Sequence, residues 1–430
     1  RVSDVSPTAS LHQQSRSLLI LVLPPMRVTI LGAGVNGLTT GVLLSALGIP
    51  STIVTHRRAD RSSTAPDPFF ASRYPAASVI PHAVRVDDVV AHMRETQAFF
   101  EVLRQHGTFG VRQQMHYELF ESPVEKPPYA PAMHDFRPLP RDGSGRRGAP
   151  CRPGTDALYG WSFRTYFAET PTYVRRLFDV YEAAGGRVET REPLTREDLS
   201  DLPGAAVVNC LGAGSRDLFA DPAPHRFLEG RLVYAPVSGP AIDRQHHEVC
   251  SYNYAPPAEV YAAGDGSPAG LYVYPRSDVW VIGGTKQPVD PEEGSTGASV
   301  SGPTYTIDGH DIPRPMVDVN AEILKDMYGV DIRETDLRAT RGLRFARDLD
   351  GSGVRLEAEP GNGRPVVHNY GHGGAGVTLS WSSALRVARL LNRYGIEPAP
   401  ADRSRDAPNL LSHLAQTART LDLGAAPSLE

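Results

Sequence analysis

The stretch Arg27-Val28-Thr29-Ile30-Leu31-Gly32-Ala33-Gly34-Val35-Asn36-Gly37-Leu38 decides the fold. Its first five residues are a short β-branched run of the kind buried in a parallel strand. Gly32 to Gly37 is a glycine turn, and Leu38 to Leu47 then carries helical spacing as far as Gly48. Ser51 to Thr55 reads as a second strand, which closes one β-turn-α-β unit of about 30 residues.

In Gly32-x-Gly34-x-x-Gly37 the first glycine permits the tight turn. The second lets a pyrophosphate approach the backbone, and the third lets helix and strand pack closely. The helix N-terminus adds unpaired amides and the positive end of its dipole. Gly32, Ala33, Gly34, Val35, Asn36 and Gly37 are therefore candidates to hold a dinucleotide; the bland alternative is a glycine-rich turn that binds nothing. One position departs from the pattern. The end of the second strand normally offers an acid to ribose hydroxyls, whereas this one runs Thr55-His56-Arg57-Arg58. His56 at a ribose and Arg57 at a phosphate stand beside the reading of both as solvated loop residues.

Outward from this unit, residues 57 to 70 form a polar surface loop. Asp87 to His106 spaces Val90, Met93, Phe99, Phe100 and Leu103 as a helix does, and residues 121 to 160, rich in Pro, Gly and Arg, read as a long loop. Thr172 to Ala184 is helical. Ala205 to Cys210 is a buried strand leading to a second turn, Gly212-Ala213-Gly214. Strand-like segments follow at Leu232 to Ala235, Leu271 to Tyr274 and Val279 to Ile282, then a helix at Met316 to Met327. A third glycine run, Gly371 to Gly376, feeds a helix from about Ser380 to Tyr394. Residues 398 to 430 read as a polar tail, and no internal repeat is present.

The α/β pieces at both ends enclose a β-rich middle. The expected organisation is a discontinuous nucleotide-binding domain (residues 26–85, 165–225 and 335–397) and a second domain (86–164 and 226–334). Residues 1–25 are expected to be a disordered extension before a start near Met26.

Composition sets outer limits. The 430 residues are 40% hydrophobic and 22% charged with a formal net charge of -5, which is ordinary globular material and no phosphate-backbone binder. Three cysteines, Cys151, Cys210 and Cys250, lack metal-ligand spacing and suit a reducing cytosol. No metal site, nucleic-acid partner or membrane span is expected, since Leu18 to Leu23 is far shorter than the roughly 20 apolar residues a span needs. A cytoplasmic location is expected, and a homodimer is left open. Only Lys126, Lys286 and Lys325 are lysines, a bias given no functional weight.

Three glycine turns exceed what a simple NAD domain needs. A flavin asks for more: a diphosphate cradle, room for a ribityl chain, and a helix N-terminus under the pyrimidine, where reduction builds negative charge. At this point the sequence resembles the D-amino-acid oxidase family of FAD enzymes, the group that includes D-aspartate oxidase. The resemblance is carried by Val28 to Gly37, Val207 to Gly214, Leu271 to Arg276, Ile282 to Thr285, Gly342 to Arg347, and Val367 to Thr378 with Trp381.

The resemblance implies an α/β fold with an FAD-binding Rossmann-type βαβ domain and a discontinuous β-rich substrate domain. It implies that Arg344 clamps a substrate carboxylate, Tyr272 touches it, and the Gly374 carbonyl receives the amine. It implies FAD contacts at Gly32 to Gly37, His56, Arg57, Ala76, Ala77, Ser78, Cys210, Gly212, Arg344, Gly371, Gly373, Gly374, Ala375, Gly376, Val377 and Thr378. The implied reaction takes hydride from Cα of a D-amino acid to flavin N5. It gives an imino acid, then a 2-oxo acid and ammonia, with dioxygen as second substrate and hydrogen peroxide as product. His372 is read as a structural hydrogen-bonder, since this chemistry needs no protein base.

Two departures bear on the substrate. The family's second active-site tyrosine falls near Pro268, with Tyr252, Tyr254 and Tyr261 as stand-ins, and Glu229-Gly230-Arg231 replaces the usual Arg-Gly-Gln. The alternatives are a tailoring oxidoreductase for another amine or carboxylate-bearing metabolite, an NAD-dependent dehydrogenase, and a flavin binder without catalysis.

Overall fold

In a computed structural model the described residues are 27–58, 67–70, 72, 76–146, 148–236, 242–243, 248–290, 300–361, 363–399 and 409–421. The expected N-terminal extension, residues 1–25, lies outside them. The chain opens with β1 (Val28–Leu31), α1 (Val35–Ala46) and β2 (Ser51–Thr55). β3 (Ala77–Ser78) and α2 (Val89–His106) lead to β4 (Val111–Phe120), β5 (His134–Pro138) and β6 (Tyr159–Ala168). Then come α3 (Thr170–Ala183), β7 (Arg187–Thr190), α4 (Asp198–Asp201), β8 (Ala206–Asn209) and α5 (Ser215–Leu218). The middle is β9 (His225–Ala235), β10 (Ile242–Asp243), β11 (Glu248–Ala255), β12 (Leu271–Pro275), β13 (Trp280–Gly283) and β14 (Gln287–Val289). The hairpin β15 (Thr304–Ile307) and β16 (His310–Pro313) precedes α6 (Arg314–Tyr328) and β17 (Arg338–Arg347). β18 (Ala358–Pro360), β19 (Pro365–His368), α7 (Gly376–Asn392) and α8 (Leu410–Thr420) follow.

One sheet has the order β18-β19-β8-β1-β2-β7 and is parallel except at β18. β1, β2 and β8 are buried at every residue, as strands covered on both faces must be. The larger sheet has the order β14-β9-β13-β12-β11-β4-β6-β3, with β17 on β9, β5 on β6 and β10 on β11. The mixed α/β class expected from the sequence is the one observed.

The core around the parallel sheet joins residues distant in sequence. Trp381 of α7 stacks on Phe99 of α2 at 5.1 Å and donates from its indole nitrogen to the Tyr173 hydroxyl of α3 at 2.7 Å. Truncating a tryptophan in such a place costs about 3–5 kcal/mol. α2 is fastened further where Thr96 donates to the Thr378 carbonyl at 2.8 Å and His92 Nδ1 meets Ser382 Oγ at 2.8 Å.

The observed division departs from the expected one in four places. α2 packs in the core of the parallel sheet although residues 86–164 were assigned to the other domain. β17 joins the larger sheet, pairing with β9 over its full length. The long loop expected over 121–160 contains β5, which pairs with β6. Within the expected polar tail, α8 buries Leu410, Leu414, Ala415 and Ala418 against the same core. That i, i+4, i+5, i+8 spacing is a core-facing stripe, capped by Asn409 and Ser412.

Candidate active site

The opening glycine turn has the geometry its spacing implies. Gly32 sits at φ +99°, and a Cβ there would lie 2.7 Å from the Cys210 carbonyl oxygen. A Cβ on Gly37 would lie 1.9 Å from the Gly32 carbonyl oxygen, so only glycine lets α1 start against the turn. At Gly34 the same test finds only Ser72 Oγ, at 3.7 Å. The turn is closed beneath and open above. α1 begins at Val35, inside the glycine motif, with no acidic residue in its first turn and no side-chain cap.

This turn lines a cleft of about 540 Å³ together with Thr55, His56 and Arg57 at the end of β2 and Cys210 to Gly214 after β8. Glu192, Pro193 and Leu194 after β7 line it too, as do Phe69, Phe227 and Phe345. Asn36 faces the cleft with an amide oxygen that is buried and has no hydrogen-bond partner among the described residues. An open backbone cradle, an uncapped helix start and an orphaned amide acceptor fit a diphosphate with an attached polyol. Gly32 to Gly37, Cys210 and Gly212 are thus brought together. Arg57, expected at a phosphate, is held by Asp67 at 2.7 Å and lies over the Phe69 ring. Burial pushes the Cys210 thiol up to about 12, with hydrogen bonds from Thr40 and Asn369 partly offsetting it, so it is no thiolate.

The third glycine run meets the first. A Cβ on Gly376, at the start of α7, would lie 3.7 Å from Val35 Cγ1 and 3.8 Å from Asn36 Nδ2. Two helix N-termini some 340 residues apart in sequence therefore converge, a count that follows from their positions at 35 and 376. Gly374 donates its amide to the Ala83 carbonyl at 3.3 Å, and Thr378 donates to the Ile80 carbonyl at 2.8 Å. The run is thereby fixed on the segment after β3. Gly371, Gly373 and Ala375 belong to this turn, and Val377 is buried behind it. Ala76 is buried, Ala77 is half-buried, and Ser78 turns its hydroxyl to Ser251 at 2.8 Å, away from the glycine cleft. Residues 71 and 73–75, just before them, lie outside the described residues.

His372 is buried, and its Nε2 lies 3.1 Å from Ser383 Oγ. Burial lowers its pKa to about 4. It is a neutral, structural histidine at ordinary pH.

Arg344 and Tyr272 come from different strands and meet at the other end. Arg344 Nη1 donates to the Thr285 carbonyl at 3.3 Å, with its guanidinium flat against the backbone of Gly230. Tyr272 packs over Gly283, where no Cβ obstructs it, and stacks on Tyr274 at 4.5 Å. Burial raises the Tyr272 pKa, while the charge of Arg344 and a hydrogen bond to it act in the opposite direction. The three tyrosines named as stand-ins are occupied elsewhere. Tyr252 donates to Asn320 at 2.8 Å, Tyr254 bonds Glu121 and Thr155, and Tyr261 reaches only the Gly284 carbonyl at 3.4 Å. Glu229 and Arg231, both on β9, form a buried ion pair at 2.8 Å.

Two further residues join this end. Lys286 Nζ lies 2.5 Å from His82 Nε2, and both side chains are exposed. The surrounding protein, and then the charge of Arg344, lower the Lys286 pKa to about 8, against a raising effect from Glu118. The protein packed around His82, and then the charge of Lys286, lower its pKa to about 4 although its surface reaches solvent. Glu118 itself is pushed up by burial but brought lower overall by a hydrogen bond and charge from His116. It sits 3.1 Å from His116 Nε2 and accepts from Asn253 at 2.7 Å. Two cations, Arg344 and Lys286, thus stand together with no carboxylate in ion-pair contact among the described residues. The signal in the sequence was a rare lysine directly after Gly283-Gly284-Thr285.

Among the described residues no group of three His, Cys, Asp or Glu is placed to hold a metal, and no helix is long and apolar enough to cross a membrane. The model of the family described as "DAO: FAD dependent oxidoreductase" matches residues 27–390. A D-amino-acid oxidase of Rubrobacter xylanophilus is 31% identical, over 85% of this chain and 95% of its own. A D-aspartate oxidase of Homo sapiens is 30% identical, over 85% and 94%. Among solved structures, glycine oxidase of Geobacillus kaustophilus superposes with a TM-score of 0.57 at 16% identity, covering 88% of this chain and 97% of its own.

Proposed function

Since the chain belongs to this family of FAD-dependent oxidoreductases, we propose that it oxidises the Cα–N bond of a D-amino acid, with an acidic side chain preferred. The observation that carries the reading is the grouping of Arg344, Tyr272 and the Lys286–His82 pair beside the glycine run that opens α7. The relatives named D-amino-acid oxidase and D-aspartate oxidase support it.

In this reading the Arg344 fork binds the α-carboxylate by two parallel hydrogen bonds and fixes the direction of the Cα–H bond. Tyr272, kept protonated by its raised pKa, donates to the same carboxylate. The Gly374 carbonyl accepts from the substrate amine, while the neighbouring cations Arg344 and Lys286 disfavour its ammonium form. Lys286, beside His82, takes a second carboxylate on the side chain. Bound FAD supplies the hydride acceptor and afterwards delivers the two electrons to dioxygen. Catalysis from the chain itself is then positioning and electrostatics. The neutral, buried His372 removes no proton. The balance is amino acid, dioxygen and water in, and 2-oxo acid, ammonia and hydrogen peroxide out.

A panel of D-aspartate, D-glutamate, D-alanine and L-aspartate, followed by peroxide release, tests this. The D-dicarboxylic acids should turn over fastest and L-aspartate not at all. Peroxide from the L-enantiomer alone, or from none of the four, contradicts it. The second reading, an oxidoreductase for another amine bearing a carboxylate, is favoured by the occupied tyrosines and by the buried Glu229–Arg231 pair. It predicts turnover of an N-substituted carboxylate where free D-amino acids fail.

A further inference from the structure

The second strand ends Thr55-His56-Arg57-Arg58, with no carboxylate where this kind of fold places one for the ribose of the adenosine half. We propose that Glu192, at the end of the neighbouring strand, supplies it and accepts hydrogen bonds from the ribose hydroxyls of FAD. The inference rests on the cofactor alone and is independent of the substrate.

Register carries the first part of the case. β7 lies parallel to β2 with Thr55 opposite Thr190, and the Arg191 amide donates to the Thr55 carbonyl at 2.9 Å. The ladder therefore runs one residue past β7, and continuing its register brings Glu192 level with Arg57, next to His56. Glu192 lines the same cleft as Gly32, Gly34, Thr55 and His56.

Elimination among the acids carries the second part. Asp67, near this edge, is taken by Arg57 at 2.7 Å, and Asp217, which lines the cleft, is taken by Arg216 at 2.7 Å. Glu192 is exposed and has no ion-pair or hydrogen-bond partner among the described residues. Two vicinal hydroxyls present two donors, and a carboxylate presents two acceptor oxygens. A ribose thus suits Glu192 better than it suits Arg57, which has no acceptor. A carboxylate here also disfavours any cofactor carrying a 2′-phosphate, by like charge.

Full-length wild type and Glu192→Gln, stripped of flavin, should be titrated with three ligands while flavin fluorescence is read. The ligands are FAD, FMN, and an FAD whose adenosine lacks the 2′-hydroxyl. The change keeps the shape of the side chain at an exposed site, and a melting curve checks that the fold is intact. Wild type should prefer FAD over the deoxy form by about tenfold, and the variant should lose about ten- to hundredfold in FAD affinity. The variant should bind FAD and the deoxy form alike, and FMN should bind both proteins equally. Undiminished FAD affinity in the variant, or an equal loss toward FMN and FAD, overturns the assignment. Failure of wild type to bind FAD at all would instead strike at the cofactor.

Discussion

The guanidinium of Arg344 lies against the backbone of Gly230, so close that a Cβ on Gly230 would sit 2.6 Å from Nη1. β17 and β9 pair over these residues, with Gly342 opposite Gly230 and Arg344 opposite Leu228. The glycine is what lets the arginine fold back over its neighbouring strand and keep its fork in place. Gly230→Ala should therefore raise KM for a D-amino acid about tenfold while flavin content stays at wild-type level. Arg344→Met should cost more, about 2–5 kcal/mol in kcat/KM, because it removes the charged partner itself. Steady-state kinetics on the two flavin-loaded variants checks both values.

Lys286 should give the enzyme a pH-dependent choice of substrate. Its pKa near 8 means the ammonium is present below that pH and lost above it. The ratio of kcat/KM for D-aspartate over D-alanine should fall as pH rises from 7 to 9. Taking the ratio removes the ionisation of the substrate amine, which both substrates share. In Lys286→Gln the ratio should be low and flat across the range.

Gly34 and Gly37 should separate cofactor binding from folding. Space above Gly34 is open, whereas a Cβ on Gly37 would collide with the Gly32 carbonyl at 1.9 Å. Gly34→Ala should leave the melting temperature of the flavin-free protein within a degree or two, yet weaken FAD binding about tenfold or more. Gly37→Ala should lower the melting temperature of the flavin-free protein itself. Calorimetry with and without FAD distinguishes the two.

How far the sequence leads depends on where the signal lies. The β1-turn-α1-β2 unit is legible because β-branched residues, glycine spacing and helical periodicity agree locally. β4 is not. Met115, Tyr117 and Leu119 alternate with Gln114, His116 and Glu118, yet both faces are buried, and such alternation signals a strand with its polar face in water rather than one lining the interior. α8 was missed because its apolar stripe, Leu410, Leu414, Ala415 and Ala418, is short and set among polar residues. In the site, Arg344, Tyr272 and the glycine turns came from motifs, whereas Lys286 and Glu192 gain meaning only from strand register and from a neighbour 204 positions away, His82.

α8 supplies a stability test of that missed element. Leu414 is completely buried in the core shared by α1, α2 and α7. Leu414→Ala should lower unfolding stability by about 2–5 kcal/mol, read by urea denaturation. A loss under 0.5 kcal/mol, within the usual range for a surface site, would mean that the helix is not docked there.

In the proposed reaction Arg344, Tyr272 and Lys286 hold a D-amino acid for hydride removal by bound flavin. The most direct measurement is flavin absorbance under strict anaerobiosis on adding D-aspartate to the purified holoenzyme. The yellow band should bleach fully with D-aspartate, stay unchanged with L-aspartate, and return when air is admitted. A holoenzyme that keeps its oxidised spectrum with D-aspartate, and with every other D-amino acid tried, would contradict it.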